Sequence, residues 1–126
     1  MATILIIDDE KAILGFLKER LMDEGFKVLT ASDGKEGMNL FNGNKVDLVI
    51  TDIIMPDKDG FITIMELKKI CPDIKIIAMS GGGRGHPEHY LDTAKCFRAQ
   101  YTIEKPFKTS DLLKMVYALL NEEKTS

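Results

Sequence analysis

The sequence predicts an α/β fold, a doubly wound sheet of five parallel strands in the order 2-1-3-4-5 with five helices layered on its two faces. Three observations carry this. Short apolar runs alternate with helix-period patterns along the whole chain, and such alternation builds a parallel sheet through crossover helices. The first, third and fourth runs are apolar at successive positions, as strands covered on both faces must be, while the second and fifth are shorter and more polar and belong at the edges. Finally, 126 residues suffice for one domain with a sizeable core.

Each element has its own signal. "TILII" (3–7) is a compact β-branched run. Residues 11–24 place Ile13, Phe16, Leu17 and Leu21 at helical spacing, and Gly25 stops them. "KVLT" (27–30) is a short, polar strand; after an Asp33-Gly34 turn, Met38 and Phe41 mark a short helix ending at Gly43. "VDLVIT" (46–51) is the third strand. The helix from Gly60 to Cys71 presents Ile64, Leu67 and Ile70 until Pro72 ends it. "IKIIAM" (74–79) is the fourth strand. A glycine-rich loop then leads to a helix opened by Pro87, with Tyr90, Leu91, Ala94 and Phe97 on one side. "YTI" (101–103) is a weak fifth strand. The last helix, from about Ser110, carries Leu112, Leu113, Val116, Leu119 and Leu120 ahead of a polar tail, "NEEKTS".

Composition excludes several classes. Hydrophobic residues at 44% and charged residues at 29% describe an ordinary globular protein rather than a disordered or fibrous one. A net charge of −3 without a basic stripe argues against direct nucleic-acid binding, and no apolar run reaches membrane-spanning length. "MATILIIDDE" lacks the basic leader of a signal peptide. Cys71 and Cys96 fit no metal or redox spacing and read as two buried free thiols. These features predict a cytoplasmic protein.

Asp52 ends an apolar strand, in "DLVITDIIMPDKDGF", where it is either a turn residue or a reactive group. The sheet order opens a crevice where connections diverge, at the carboxyl ends of strands one and three. Asp8 and Asp9 follow strand one, so three carboxylates reach one rim, together with Ser80 after strand four and Lys105 after strand five. Like charges this close need a cation or a proton to offset them. Oxygen donors with no His or Cys nearby point to Mg²⁺. A metal, a hydroxyl and an ammonium around one carboxylate form an electrostatic cradle for a phosphoryl group.

Over essentially its full length, residues 1–126, the chain resembles the receiver domain of two-component response regulators, a flavodoxin-like fold. The matching motifs are Asp8-Asp9, "DIIMPDKDG" around Asp52, Ser80, and "EKPF" at 104–107. The resemblance implies that Asp52 takes a phosphoryl group from a phosphohistidine, on a sensor histidine kinase or a histidine phosphotransfer protein, to give an aspartyl phosphate. Asp9, Asp52 and the Ile54 carbonyl would bind Mg²⁺ directly, and Asp8 through a water. Lys105 would pair with the phosphoryl oxygens and Ser80 would hydrogen-bond one of them. The Lys105-Pro106 bond would be cis. The protein would be a signalling module rather than an enzyme with turnover on a separate substrate. The tail after residue 120 is too short for an effector domain, so it would be either a stand-alone receiver or a receiver from a longer protein. Its 80–105 surface would switch to bind an output partner that the sequence does not name.

Simpler readings stand beside these. Asp9 alone reads as a helix cap, though an adjacent Asp8 gains nothing from capping. Ser80 alone reads as a turn hydroxyl and Lys105 as a surface lysine. "GGGRG" (81–85) reads as a flexible connector, since it matches neither the dinucleotide nor the phosphate-loop pattern. His86 and His89, with Glu88 near, read as surface histidines before a metal site. Where many receivers carry an aromatic residue three positions before the lysine, this chain has Thr102, and Tyr101 lies on the opposite strand face. Ordering of the 81–97 segment is therefore expected to carry the signal more than side-chain burial does. Rival functions are a Mg²⁺-dependent phosphohydrolase with an Asp nucleophile, which would need two Asp separated by one residue, and a flavodoxin-like small-ligand binder, which would need a Ser/Thr-rich loop after strand one.

Overall fold

The computed structural model describes residues 2–53, 60–80 and 99–124. Its elements run β1 (Thr3–Ile7), α1 (Lys11–Asp23), β2 (Lys27–Ala31), α2 (Gly34–Gly43), β3 (Leu48–Asp52), α3 (Gly60–Ile70), β4 (Lys75–Ser80), β5 (Tyr101–Glu104) and α4 (Thr109–Lys124). The strands form one parallel sheet, β2-β1-β3-β4-β5, as expected. Four helices are found among the described residues. The helix expected from Pro87 lies outside them, as do Ile54, the 81–85 glycines, His86, His89 and Cys96.

Strand composition explains the order. β1 and β3 are buried at every position, and β4 at all but its first. β2 and β5 are half-open, as edge strands are. Alternation splits the core into two layers. Ile4, Ile6, Leu48, Ile50, Ile77, Met79 and Ile103 face α1 and α4. Leu5, Ile7, Val49, Ile76 and Ala78 face α2 and α3. Tyr101 packs with Ile103 against the α1/α4 layer, so the adjacent Thr102 points to the other side, as its place in the strand predicts.

Turn chemistry sets the helix ends. After α1 the chain closes a Schellman motif: Gly25 N–H donates to Met22 O at 2.9 Å and Phe26 N–H to Leu21 O at 3.2 Å. Gly25 supplies the positive φ, 95°, that this ending needs. Asp33 caps α2, its side chain accepting from Glu36 N–H at 2.8 Å. At Gly37 the helix lies so close to the sheet that a Cβ there would meet Ile7 Cδ1 at 2.5 Å. Beyond the start of β5, Gln100 continues the ladder. Its N–H donates to Ile76 O at 3.0 Å, its Oε1 accepts from Ile76 N–H at 2.8 Å, and its Nε2 donates to Ile74 O at 3.4 Å.

Several sequence expectations shift. The buried stripe of α1 is Leu14, Leu17 and Leu21; Phe16 is 52% exposed and Ile13 only half-buried. Leu14 and Phe16, two positions apart, lie on nearly opposite sides of the helix, and the sheet takes the side that Leu14 shares with Leu17 and Leu21, spaced at three and four residues. Ile70, on the last turn of α3, is 54% exposed. Cys71 is half-buried and free. The last helix runs on to Lys124 instead of giving way to a tail after residue 120, since the polar residues there include good helix formers.

Candidate functional site

Parallel register builds the site. Ile7 pairs with Thr51, so the next residues, Asp8 and Asp52, come side by side. Asp52, the last residue of β3, pairs with Met79, and Ser80 pairs with Glu104. One residue further, Lys105 N–H donates to Ser80 O at 2.6 Å, and Ile53 N–H to Met79 O at 3.0 Å. Four strand ends thus deliver Asp8, Asp52, Ser80 and Lys105 to one rim. Asp52 and Ser80 are strand residues, each one position inside the loop expected from the sequence. The Lys105-Pro106 bond is cis, as the resemblance implied.

Lys105 is the hub. Its Nζ donates to Asp8 Oδ2 at 2.7 Å, Asp52 Oδ2 at 3.2 Å and Glu10 Oε1 at 3.4 Å. Asp8 is fully buried, and the Asp52 and Lys105 side chains are 8% and 9% exposed. Burial pushes the Asp8 carboxyl up from 3.8 to about 6, against the pull of Lys105 and the Glu10 N–H. Burial also works against the Lys105 ammonium, yet its hydrogen bond to Asp8 and the charges of Asp52 and Asp8 hold its pKa above the ordinary value. Carboxylate oxygens of Asp8, Asp9, Glu10 and Asp52 lie within 4.8 Å of one another. Among the described residues these four carboxylates face one ammonium, that of Lys105, and an all-oxygen donor set of this size suits a hard cation. The Ser80 hydroxyl is fully buried and finds no hydrogen-bond partner among the described residues. Burying a hydroxyl without a partner is costly, and an acceptor placed beside Ser80 would relieve that cost.

The sequence placed Asp8, Asp9, Asp52, Ser80 and Lys105 on one rim, and all five are there. Asp9 does not cap α1, because the N-cap is Glu10, with no side-chain cap bond. Asp8 instead accepts from Glu10 N–H at 2.9 Å, contrary to the expectation that it gains nothing from the helix start. Glu10 was missed as a site residue. The signal was the unbroken acidic run Asp8-Asp9-Glu10, whose third member is long enough to reach back over the rim.

A sequence profile of the response regulator receiver domain matches residues 4–117. The chain belongs to the response regulator receiver family. The receiver is 32% identical to the response regulator SaeR of Staphylococcus aureus (strain USA300) over 124 residues, 98% of this chain and 53% of SaeR. It is 39% identical over 82 residues to the transcriptional regulatory protein GlrR of Escherichia coli (strain K12), 65% of this chain and 18% of GlrR. The receiver thus spans only part of the length of these relatives. Among solved structures, a receiver domain protein from Clostridium thermocellum superposes with a TM-score of 0.89 at 36% identity, covering 99% of this chain and 98% of that one. The response regulator TrrA of Thermotoga maritima, in complex with Mg²⁺-BeF, gives 0.83 at 34% identity, covering 94% and 99%. The receiver is a signalling domain of two-component systems, and the phosphohydrolase and flavodoxin-like binder readings give way to this one. No helix among the described residues is long and apolar enough to cross a membrane.

Proposed function

We propose that residues 1–126 act as a single phosphoacceptor domain in which Asp52 takes a phosphoryl group from a phosphohistidine. The observation that carries this is Lys105, bridging the buried Asp8 and Asp52 at 2.7 and 3.2 Å beside a buried Ser80 hydroxyl that has no partner among the described residues. A carboxylate, a cation and a poised donor around one point are what a phosphoryl group needs. A carboxylate oxygen of Asp52 attacks phosphorus as the P–N bond to imidazole breaks, and the bonding pair stays on the departing nitrogen. Lys105 passes from the Asp52 carboxylate to the phosphoryl oxygens, and Ser80 donates its hydrogen bond to one of them.

Mg²⁺ fits the acidic rim, and bound there it would neutralise carboxylate charge and polarise the phosphoryl oxygens. Asp9 and Asp52 would hold it directly with the Ile54 carbonyl, and Asp8 through a water. That the Thermotoga maritima relative is solved in complex with Mg²⁺-BeF supports Mg²⁺ as the cation. The donor is a sensor histidine kinase or a histidine phosphotransfer protein. A cleft of about 320 Å³ beside Lys105, lined by Ile13, Phe16, Pro106 and Phe107, offers an apolar footing for it. Output passes through the 80–105 surface to an effector partner, in a cytoplasmic setting.

Asp52→Asn tests the nucleophile. Incubated with a small phosphoryl donor and Mg²⁺, the variant keeps the fold and takes up no acid-labile label. Full labelling of the variant sinks the assignment.

A further inference from the structure

Glu10 differs from the other three carboxylates of the rim. Asp8 and Asp52 are buried and Asp9 is half-buried, whereas the Glu10 side chain is 56% exposed. Its backbone is fixed: the N–H donates to Asp8 Oδ1 at 2.9 Å, and the carbonyl accepts from Ile13 and Leu14 N–H at 3.1 and 3.2 Å. The side chain itself neither caps α1 nor packs in the core. What it does is reach back to Lys105 Nζ at 3.4 Å, with a carboxylate oxygen within 4.8 Å of those of Asp8, Asp9 and Asp52. It also lines the cleft beside Lys105.

We infer that Glu10 sets the charge selectivity of the site, strengthening cation binding while turning away small, highly charged phosphoryl donors. The inference rests on the phosphoacceptor reading. Its two halves follow from one charge acting on ligands of opposite sign. A divalent cation among the carboxylates gains from a fourth one nearby. In a water-like dielectric and physiological salt, a contact at this range changes its affinity by about five-fold. A dianionic donor meets the same charge as repulsion. It must also take Lys105 from Glu10 before its own oxygens can pair there. Because Glu10 alone is exposed, it can swing aside for a donor whose docking is driven by protein contacts, and it resists one that brings only charge.

Glu10→Gln tests this, because it removes the charge and keeps the shape. Mg²⁺ affinity is measured by calorimetric titration with magnesium chloride. Labelling rates are measured at Mg²⁺ saturating for each protein, with acetyl phosphate (dianionic at pH 7) and phosphoramidate (largely monoanionic). The expected result is an affinity about five-fold lower together with a rate about three-fold higher for acetyl phosphate, less for phosphoramidate, and a difference that shrinks in high salt. Glu10→Asp keeps the charge and is expected to retain Mg²⁺ affinity within about two-fold of wild type. An unchanged affinity in Glu10→Gln, equal rate changes for both donors, or an Asp variant that matches the Gln variant throughout would each overturn the inference. Failure of the wild type to take label from either donor would instead overturn the phosphoacceptor reading and the donor half with it. The Mg²⁺ titration would then still judge the cation half.

Discussion

Replacing Lys105 by Met removes one charge while keeping most of the apolar stem, so its cost measures the electrostatics of the rim. In the wild type the ammonium stands 2.7 Å from a fully buried carboxylate and 3.2 Å from one that is 8% exposed. Removing one partner of a buried ion pair typically costs about 3–5 kcal/mol, since the other charge is left without compensation. The variant has an escape, which is to protonate Asp8. That carboxyl already stands at about 6 with Lys105 present, and losing the ammonium moves it higher. Above pH 6 the folded variant therefore holds a proton that the wild type has released. The stability difference widens with pH by at most ~1.4 kcal/mol per unit until the variant also ionises. Urea denaturation without metal should show a loss of ~3 kcal/mol at pH 8, at least halved at pH 5. Mg²⁺ at a hundred-fold excess over its Kd should restore up to ~2.7 kcal/mol at pH 8. If the loss is the same at both pH values and with or without Mg²⁺, it comes from packing of the stem, and the charge reasoning fails.

The wild-type protein carries its own pH signature. The folded pKa of Asp8 lies above its unfolded value, so its contribution is fully present below the unfolded pKa of about 3.8 and is lost as pH rises through about 6, by ~3 kcal/mol. Melts without metal, compared with Asp8→Asn, should show that slope only in the wild type; a parallel pair of curves would count against it. Mg²⁺ affinity should rise across the same window as Asp8 ionises, and a flat titration between pH 5 and 7.5 would contradict the shared site. For the output step, a beryllofluoride phosphoryl mimic should increase hydrogen-exchange protection over residues 81–97, extending to Tyr101. A change confined to α1 and α2 would refute that route.

Much of this was legible in the sequence because parallel sheets tie position to pattern. Runs apolar on both faces could only be central strands, so the order followed, and with it the meeting of Asp8, Asp52, Ser80 and Lys105. The errors share a cause, which is that periodicity ranks faces without seeing neighbours. Phe16 and Leu14 both fit a stripe on α1, and only the packing against Ile4 and Ile6 selects Leu14. Ile70 falls on the helical face but is 54% exposed on the last turn of α3. Glu10 escaped notice because its role depends on side-chain reach across the rim to Lys105, 95 residues further along the chain, which spacing along the chain does not encode.

Gln100 has a consequence for the behaviour of the sheet in company. β5 covers only the carboxyl-terminal part of β4, from Ile77 onward, which would leave Ile74 and Ile76 as a short open template for another chain's backbone. The Gln100 side chain presents one amide oxygen and one amide nitrogen, the same pair of groups that a peptide unit offers, and it has already engaged Ile76 N–H and Ile74 O. An incoming strand would have to displace bonds that are already made and would gain none in exchange. One polar side chain thus closes to edge-to-edge pairing a margin that the short fifth strand leaves unguarded.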